Sequence, residues 1–390
     1  MQVRLVNEDA RHFVRGQTGR FDIVLVNVPD PGTALINRYF TVEFLRDLKR
    51  CLNDSGVVSL SLLPATEYLG SEARLVSAVV YATLRSCFAN VVIVPGNRNY
   101  FLASDGPLAV DIGTMVAARG IDNKYVNQYY LDDRMYEQRS RQIASSLDPA
   151  APLNSDFSPI AYYAQVRYWL SYFHLSPWVI GAIALCGALA IAARLSPVNL
   201  SLFTGGFVSS SIEVILLVSF QALYGYVFRA TGMIITTFMA GLAIGAILLR
   251  EGKIALKVRR FIIVQCAIVA YALMLPAAIR LAGNSSNGDV FTEGVFLTLT
   301  AVIAILVGME FRLAAGLRTG EAGSVASSLY GLDLVGGALG ALIASVFLIP
   351  LLGMLDAGFV LAALALVSAT VAIVRRNHII ASATAGVTYE

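Results

Sequence analysis

Two groups of residues are placed to do chemistry. The first is Asn27 and Asp30, three positions apart at the end of the run Phe21–Pro31. Its apolar stretch Ile23–Val26 leads into a polar turn. That is how a buried strand delivers side chains to a ligand crevice at the carboxyl edge of a sheet. Pro29 and Pro31 stop the strand and stiffen the turn. The second group is Glu213, Glu310 and Asp333, in or at the edge of long apolar stretches. A carboxylate at membrane depth is costly, so it faces a bundle interior or a water-filled cavity. These three read as a proton or cation relay, or as protonated or paired packing residues. Glu310, with Arg312 near a span end, is expected at the interface.

The elements that must position these residues divide by composition. Of the 390 residues 57% are hydrophobic and 14% charged, far from the usual globular mix. The excess falls beyond residue 165, so residues 1–165 read as a soluble domain and 166–390 as a polytopic membrane domain. The net charge of +3 is too small to argue for nucleic acid. Four scattered cysteines without a CxxC and three distant histidines give no metal set.

Within the soluble part Val3–Val6 reads as a strand, Arg11–Arg15 as a short helix and Asp22–Val28 as the opening strand of the crevice. Tyr39–Leu52 is amphipathic at helical spacing, with Asp54-Ser55-Gly56 as its terminating turn. Val57–Leu62, Val91–Val94 and Tyr100–Ala103 read as strands and Glu72–Phe88 as a helix. Alternating strands and helices predict an α/β parallel sheet. Residues 105–152 carry no chemical motif.

The order of several segments resembles the polyamine aminopropyltransferases, the spermidine synthases. Carrying it are Asp9-Ala10, Phe21-Asp22 through Asn27-x-x-Asp30-Pro31, Asn37-Arg38-Tyr39-Phe40-Thr41-x-Glu43-Phe44, Asn53–Val57 and Asn154-Ser155-Asp156-Phe157. The resemblance spans about Gln2–Tyr163 and is to the membrane-fused members of that family. It implies a Rossmann-like, methyltransferase-type sheet, here partial, and decarboxylated S-adenosylmethionine or a related nucleoside as cofactor. It further implies aminopropyl transfer to an amine. Asp9, with Ala10, matches the position that contacts the adenine amino group. Asp30 matches the second carboxylate of an Asp-x-x-Asp pair that deprotonates and holds the attacking amine. Asn27 stands where the first Asp belongs, Ser61 where a Gln does, and Asn97-Arg98 where an aromatic residue does. The Gly-rich first turn and the acidic ribose ligand have no counterpart, because the chain opens at the family's third strand. The sequence therefore reads as a piece of a longer product, or as one that a partner chain or a second copy completes.

Seven apolar stretches are long enough, or nearly so, to cross a bilayer: Pro177–Ala193, Leu200–Leu223, Met233–Leu249, Phe261–Ile279, Val295–Leu313, Leu329–Leu348 and Leu355–Val374. Tyr163, Tyr168, Trp169, Tyr172 and Trp178 would form an aromatic belt at the entry. Ser209–Val214, Phe238–Gly245, Gly308–Phe311 and Leu329–Leu334 also resemble the membrane part of the fused family, which implies lipid contact and a bacterial inner membrane. Arg250, Lys253, Lys257, Arg259, Arg260, Arg318, Arg375 and Arg376 collect on one side, which the positive-inside rule places in the cytoplasm. Counting back through three spans sets the soluble domain outside, against the cytoplasmic setting that an aminopropyltransferase implies. The alternative function is a membrane transporter-like module for a polyamine or cation, with a degenerate soluble domain.

Overall fold

The computed structural model describes residues 3–63, 71–127, 130–172, 194–224, 227–249, 253–284, 289–318 and 320–385, with isolated positions between 179 and 190. It divides into two compact units, Met1–Ser176 and Pro177–Glu390. The stretch Pro177–Ala193 falls almost wholly outside the described residues.

The first unit is a small mixed sheet packed against helices. Its elements are α1 (Ala10–Arg15), β1 (Phe21–Val26), α2 (Ala34–Asn37), α3 (Val42–Cys51), β2 (Leu52–Leu62), α4 (Ser71–Cys87), β3 (Asn90–Val94), β4 (Asn99–Ser104), α5 (Ile112–Ala118), α6 (Asp133–Ser146) and α7 (Ile160–Tyr172). The strand order is β1-β2-β4-β3, with β1 parallel to β2 and the other two pairings antiparallel. The expected all-parallel sheet is thus corrected: Pro95–Arg98 is too short for a crossover, so β3 and β4 close as a hairpin. Val3–Val6 forms no strand; Val3 and Leu5 are exposed, with no neighbouring strand to pair. Asp54-Ser55-Gly56 does not end a helix. The helix stops at Cys51, and these three residues lie in β2 where its register with β1 shifts.

One sheet face is the core. Val58, Leu60 and Leu62 of β2, Phe101 and Ala103 of β4 and Ile93 of β3 are buried against Phe44, Leu45 and Leu48 of α3 and Val79 and Leu84 of α4. The apolar positions of α3 fall on one stripe. Thr41 caps that helix, its Oγ1 accepting from the Phe44 N–H at 3.4 Å. The opposite face is uncovered at the edge strand: Ile23 is 64% and Leu25 72% exposed.

The second unit is helical: α8 (Pro197–Tyr224), α9 (Val227–Leu248), α10 (Ile254–Asn284), α11 (Asp289–Ala315), α12 (Ala322–Ile343), α13 (Ile349–Val374) and α14 (Arg376–Ala385). Five helical stretches among the described residues are long and apolar enough to cross a membrane: Pro197–Leu223, Thr231–Leu248, Ile254–Gly283, Phe291–Ala315 and Gly323–Val374. This is an integral membrane protein. Expected stretches six and seven merge into the last, a run of 52 residues. At 1.5 Å per residue it would measure about 78 Å if straight, against a hydrocarbon core of about 30 Å. It is not straight. A π-helical turn at Ala344–Leu348 is followed by Gly353, whose φ of 79° suits glycine.

Neighbouring residues give the helix directions. Gly336 and Gly340 of α12 pack on Phe203 and Phe207 of α8, so these two helices run parallel. Ser368 and Met354 of α13 meet Ser201 and Ser219 of α8, so α13 runs the other way. In α11, Glu310 lies against Gly205 of α8, and Phe296 against Phe220. Gln265 and Tyr271 of α10 meet Glu310 and Leu299 of α11. Gly241 and Gly245 of α9 pack on Ala304 and Ile305 of α11. Six segments, α8 to α13, therefore alternate in direction. The glycines let the backbones approach closely, as small residues do between membrane helices.

Candidate functional site

The sheet carries Asp30 to the end of β1, beside the end of β2. The antiparallel pairing of Leu62 with Asn99 brings Arg98 to the same place. One Asp30 oxygen accepts the Leu63 N–H at 3.1 Å, and the other is paired with the Arg98 guanidinium. Arg98 also donates from Nε to Ser61 Oγ at 2.9 Å and from a terminal nitrogen to the Ser61 carbonyl at 3.2 Å. Asp30, Ser61 and Arg98 thus form one cluster, and its cation belongs to the protein. Asn27 is exposed on the same turn.

Asp9 caps α1, accepting from the Arg11 and His12 N–H groups at 3.1 and 3.2 Å, and its other oxygen pairs with Arg38. Arg38 is buried and lies 4.9 Å from the centre of the Tyr39 ring. Ala10 is the exposed first residue of that helix. Arg11 grips Asp156 through two bonds of 2.8 and 2.5 Å, and Thr41 Oγ1 donates to Asp156 at 2.8 Å. Asn154 donates to the Phe40 carbonyl at 2.9 Å and accepts from the Ala161 N–H at 3.0 Å. A further groove of about 650 Å3 runs beside β3 and α6. Within it Arg141 pairs with Glu137 and Asp133 accepts from Gly113 and Thr114, while Asp111 and Arg134 also line it.

The intramembrane carboxyls differ. Glu310 is wholly buried, whereas Arg312, two residues on, is exposed. The helix turns about 200° between them, so they face opposite ways. Glu310 Oε1 accepts from Gln265 Nε2, and Oε2 is buried without a hydrogen-bond partner. That carboxyl fills the space a Cβ on Gly205 would need. Asp333 meets Gly206 first through its backbone carbonyl and then through Oδ1, which is also buried and unpartnered. Two carboxyls from α11 and α12 thus flank an adjacent glycine pair of α8, and neither has an ion-pair partner among the described residues. Glu213 is half-buried seven residues further along α8, about 10 Å away. Sequence reasoning found the three acids but not Gln265 or the Gly205-Gly206 floor. Two adjacent glycines in the middle of a span were the available signal.

Comparison with family models, with curated proteins and with solved structures returned no match. Among the described residues no group of three or more metal-ligating side chains comes together.

Proposed function

We propose that this chain handles a proton or another cation inside the membrane, through the carboxyls held between α8, α11 and α12. One observation carries this reading: Glu310 is fully buried within a helical stretch long and apolar enough to cross a membrane, with no cation beside it among the described residues. An ionised carboxylate so placed is too costly to persist unpaired. It therefore holds a proton or a cation, and exchange of that ligand is the function such a site serves. The ends of the alternating helices suit an oriented device. Lys253, Lys257, Arg318 and Arg375 gather at one end, where Lys257 donates to the Gly316 carbonyl and Arg318 to Asn199. Glu293 and Asp356 lie toward the other. The positive-inside rule sets the basic end in the cytoplasm. The test is flux of protons, alkali cations and a polyamine into vesicles holding the whole chain. Loss of all flux in the Glu310→Gln variant is expected. Undiminished flux in that variant would refute the reading.

A second reading is supported by the buried network of the first unit. The segments that resemble spermidine synthases meet there: Asp9 with Arg38, Arg11 and Thr41 with Asp156, and Phe40 with Asn154. In this reading the unit is a Rossmann-like aminopropyltransferase relative, with Asp9 holding the adenine of decarboxylated S-adenosylmethionine and Asp30 the amine. In this reading Arg98, paired with Asp30, would compete with the amine. An analogue of that cofactor should bind the wild type and fail to bind Asp9→Ala. A polyamine should bind Arg98→Ala more tightly than the wild type. Absence of both effects removes the reading.

A further inference from the structure

Resting on the cation reading above, we infer that the ligand of the Glu310–Asp333 site is a proton carried on Glu310 Oε2, not a metal ion and not an organic amine. The hydrogen bonds assign the atom. Gln265 donates to Oε1, which makes that oxygen the acceptor and leaves Oε2, buried and unpartnered, for the proton.

Space excludes an amine. A Cβ on Gly205 would collide with the Glu310 carboxyl, and one on Gly206 would meet the Asp333 backbone carbonyl before its Oδ1. On the α8 side the site has no room for an ammonium ion and its carbon. The donor set excludes a metal ion. Alkali and alkaline-earth ions in proteins gather about six oxygens, and membrane sites for them recruit carbonyls from unwound helices. Here α8, α11 and α12 run as unbroken helix through Gly205-Gly206, Glu310 and Asp333, so their carbonyls are engaged. The Gly206 carbonyl is taken a second time, by the Ser209 hydroxyl at 3.2 Å. Three carboxyl oxygens remain, Glu310 Oε2 and the two of Asp333, enough for a proton and too few for a metal.

The charged neighbours are few. From α12 comes Asp333, and from α10 Lys257, whose ammonium lies at the Gly316 carbonyl toward the basic end. From α8 comes Glu213, two turns further along. The face of α9 on α11 is Gly241, Leu242, Gly245 and Ala246, with nothing titratable. One proton between two acids leaves one negative charge, and Asp333, being half-buried, takes it. Asp333 is then the route of exchange: a proton reaching Asp333 passes to Glu310 Oε2, and Asp333 regains its charge.

Infrared difference spectroscopy on the full chain in vesicles, with a pH step, tests this. A protonated-acid C=O band that moves in deuterium oxide is expected. It should vanish in Glu310→Gln and shift, without vanishing, in Asp333→Asn, which also reports that the site is intact. Flux read by a luminal pH dye should not depend on sodium, potassium or an added diamine. A band that survives in Glu310→Gln overturns the inference. So does a wild type without the band whose sodium, potassium or diamine flux is lost in Glu310→Gln; the cation reading would then stand and the proton assignment fall. A band lost in Glu310→Gln without flux of any cation upholds the proton and removes transport.

Discussion

Replacing Arg11 with Met should destabilise the first unit more than any single surface change. Arg11 and Asp156 are 1% and 3% exposed at their side chains, joined by bonds of 2.8 and 2.5 Å. Without the guanidinium, Asp156 keeps only the Thr41 hydroxyl and its own buried charge. Breaking such a pair from one side costs about 3–5 kcal/mol. In a unit of this size each kcal/mol moves the melting temperature by about 2–4 °C, so a fall of about 6–20 °C is expected. Pulse proteolysis of the whole chain across a temperature series reads this for the first unit. The double change Arg11→Met with Asp156→Leu should recover most of the loss, because no buried charge is then left alone. A single-variant loss below about 1 kcal/mol, the range of exposed pairs, would refute the reading that this pair holds Asn154–Phe157 against α1 and α3.

Two other perturbations follow from the packing and the charges. Valine at Gly340 drives a Cβ into the Phe207 carbonyl oxygen and should cost about 1–3 kcal/mol in detergent melts. Valine at Gly331 on the same helix meets nothing within 4 Å and should be close to neutral. Burial first, and the Asp156 carboxylate second, hold the Glu43 carboxyl above its ordinary range. The folded state then binds that proton more tightly than the unfolded state. Its contribution is present below the unfolded value, about 4.3, and is lost as pH rises through the raised folded value. Glu43→Gln should therefore leave stability unchanged near pH 4 and raise it near pH 7, read as urea midpoints by pulse proteolysis.

Periodicity placed α3, α4 and most of β1 and β2, because one-sided burial writes a repeat into the sequence. It misread Val3–Val6, where three apolar residues around Arg4 imitate a strand but find no strand among the described residues to pair with. It misread Asp54-Ser55-Gly56, where turn residues mark a register shift within a strand. The long membrane run was read as two crossings, and Gly353 supplies the reversal between them. Partnership between distant residues was not legible. Arg98 reaches Asp30 across 68 positions, and Asp156 reaches Arg11 across 145. No local pattern encodes either. The burial of Glu310 was hidden too, since its place depends on which face of α11 meets α8 and α10.

The distribution of charge argues where the function lies. In the first unit Asp9, Asp30, Asp47 and Asp156 each have an arginine partner. Several of these pairs lie near water, where an unpaired carboxylate would cost little. In the membrane unit, where an unpaired charge is most costly, Glu310 and Asp333 have no cation among the described residues. A chain selected for stability alone would place its partners the other way round. Local rules that fail at one point while holding elsewhere mark functional sites. The Arg98 pairing removes the soluble crevice from that category, because its acid is satisfied by the fold itself. The glycine pair of α8 leaves the membrane carboxyls in it: Gly205 and Gly206 make room for two acids and supply no cation, and the proposed exchange of a proton or cation rests on that asymmetry.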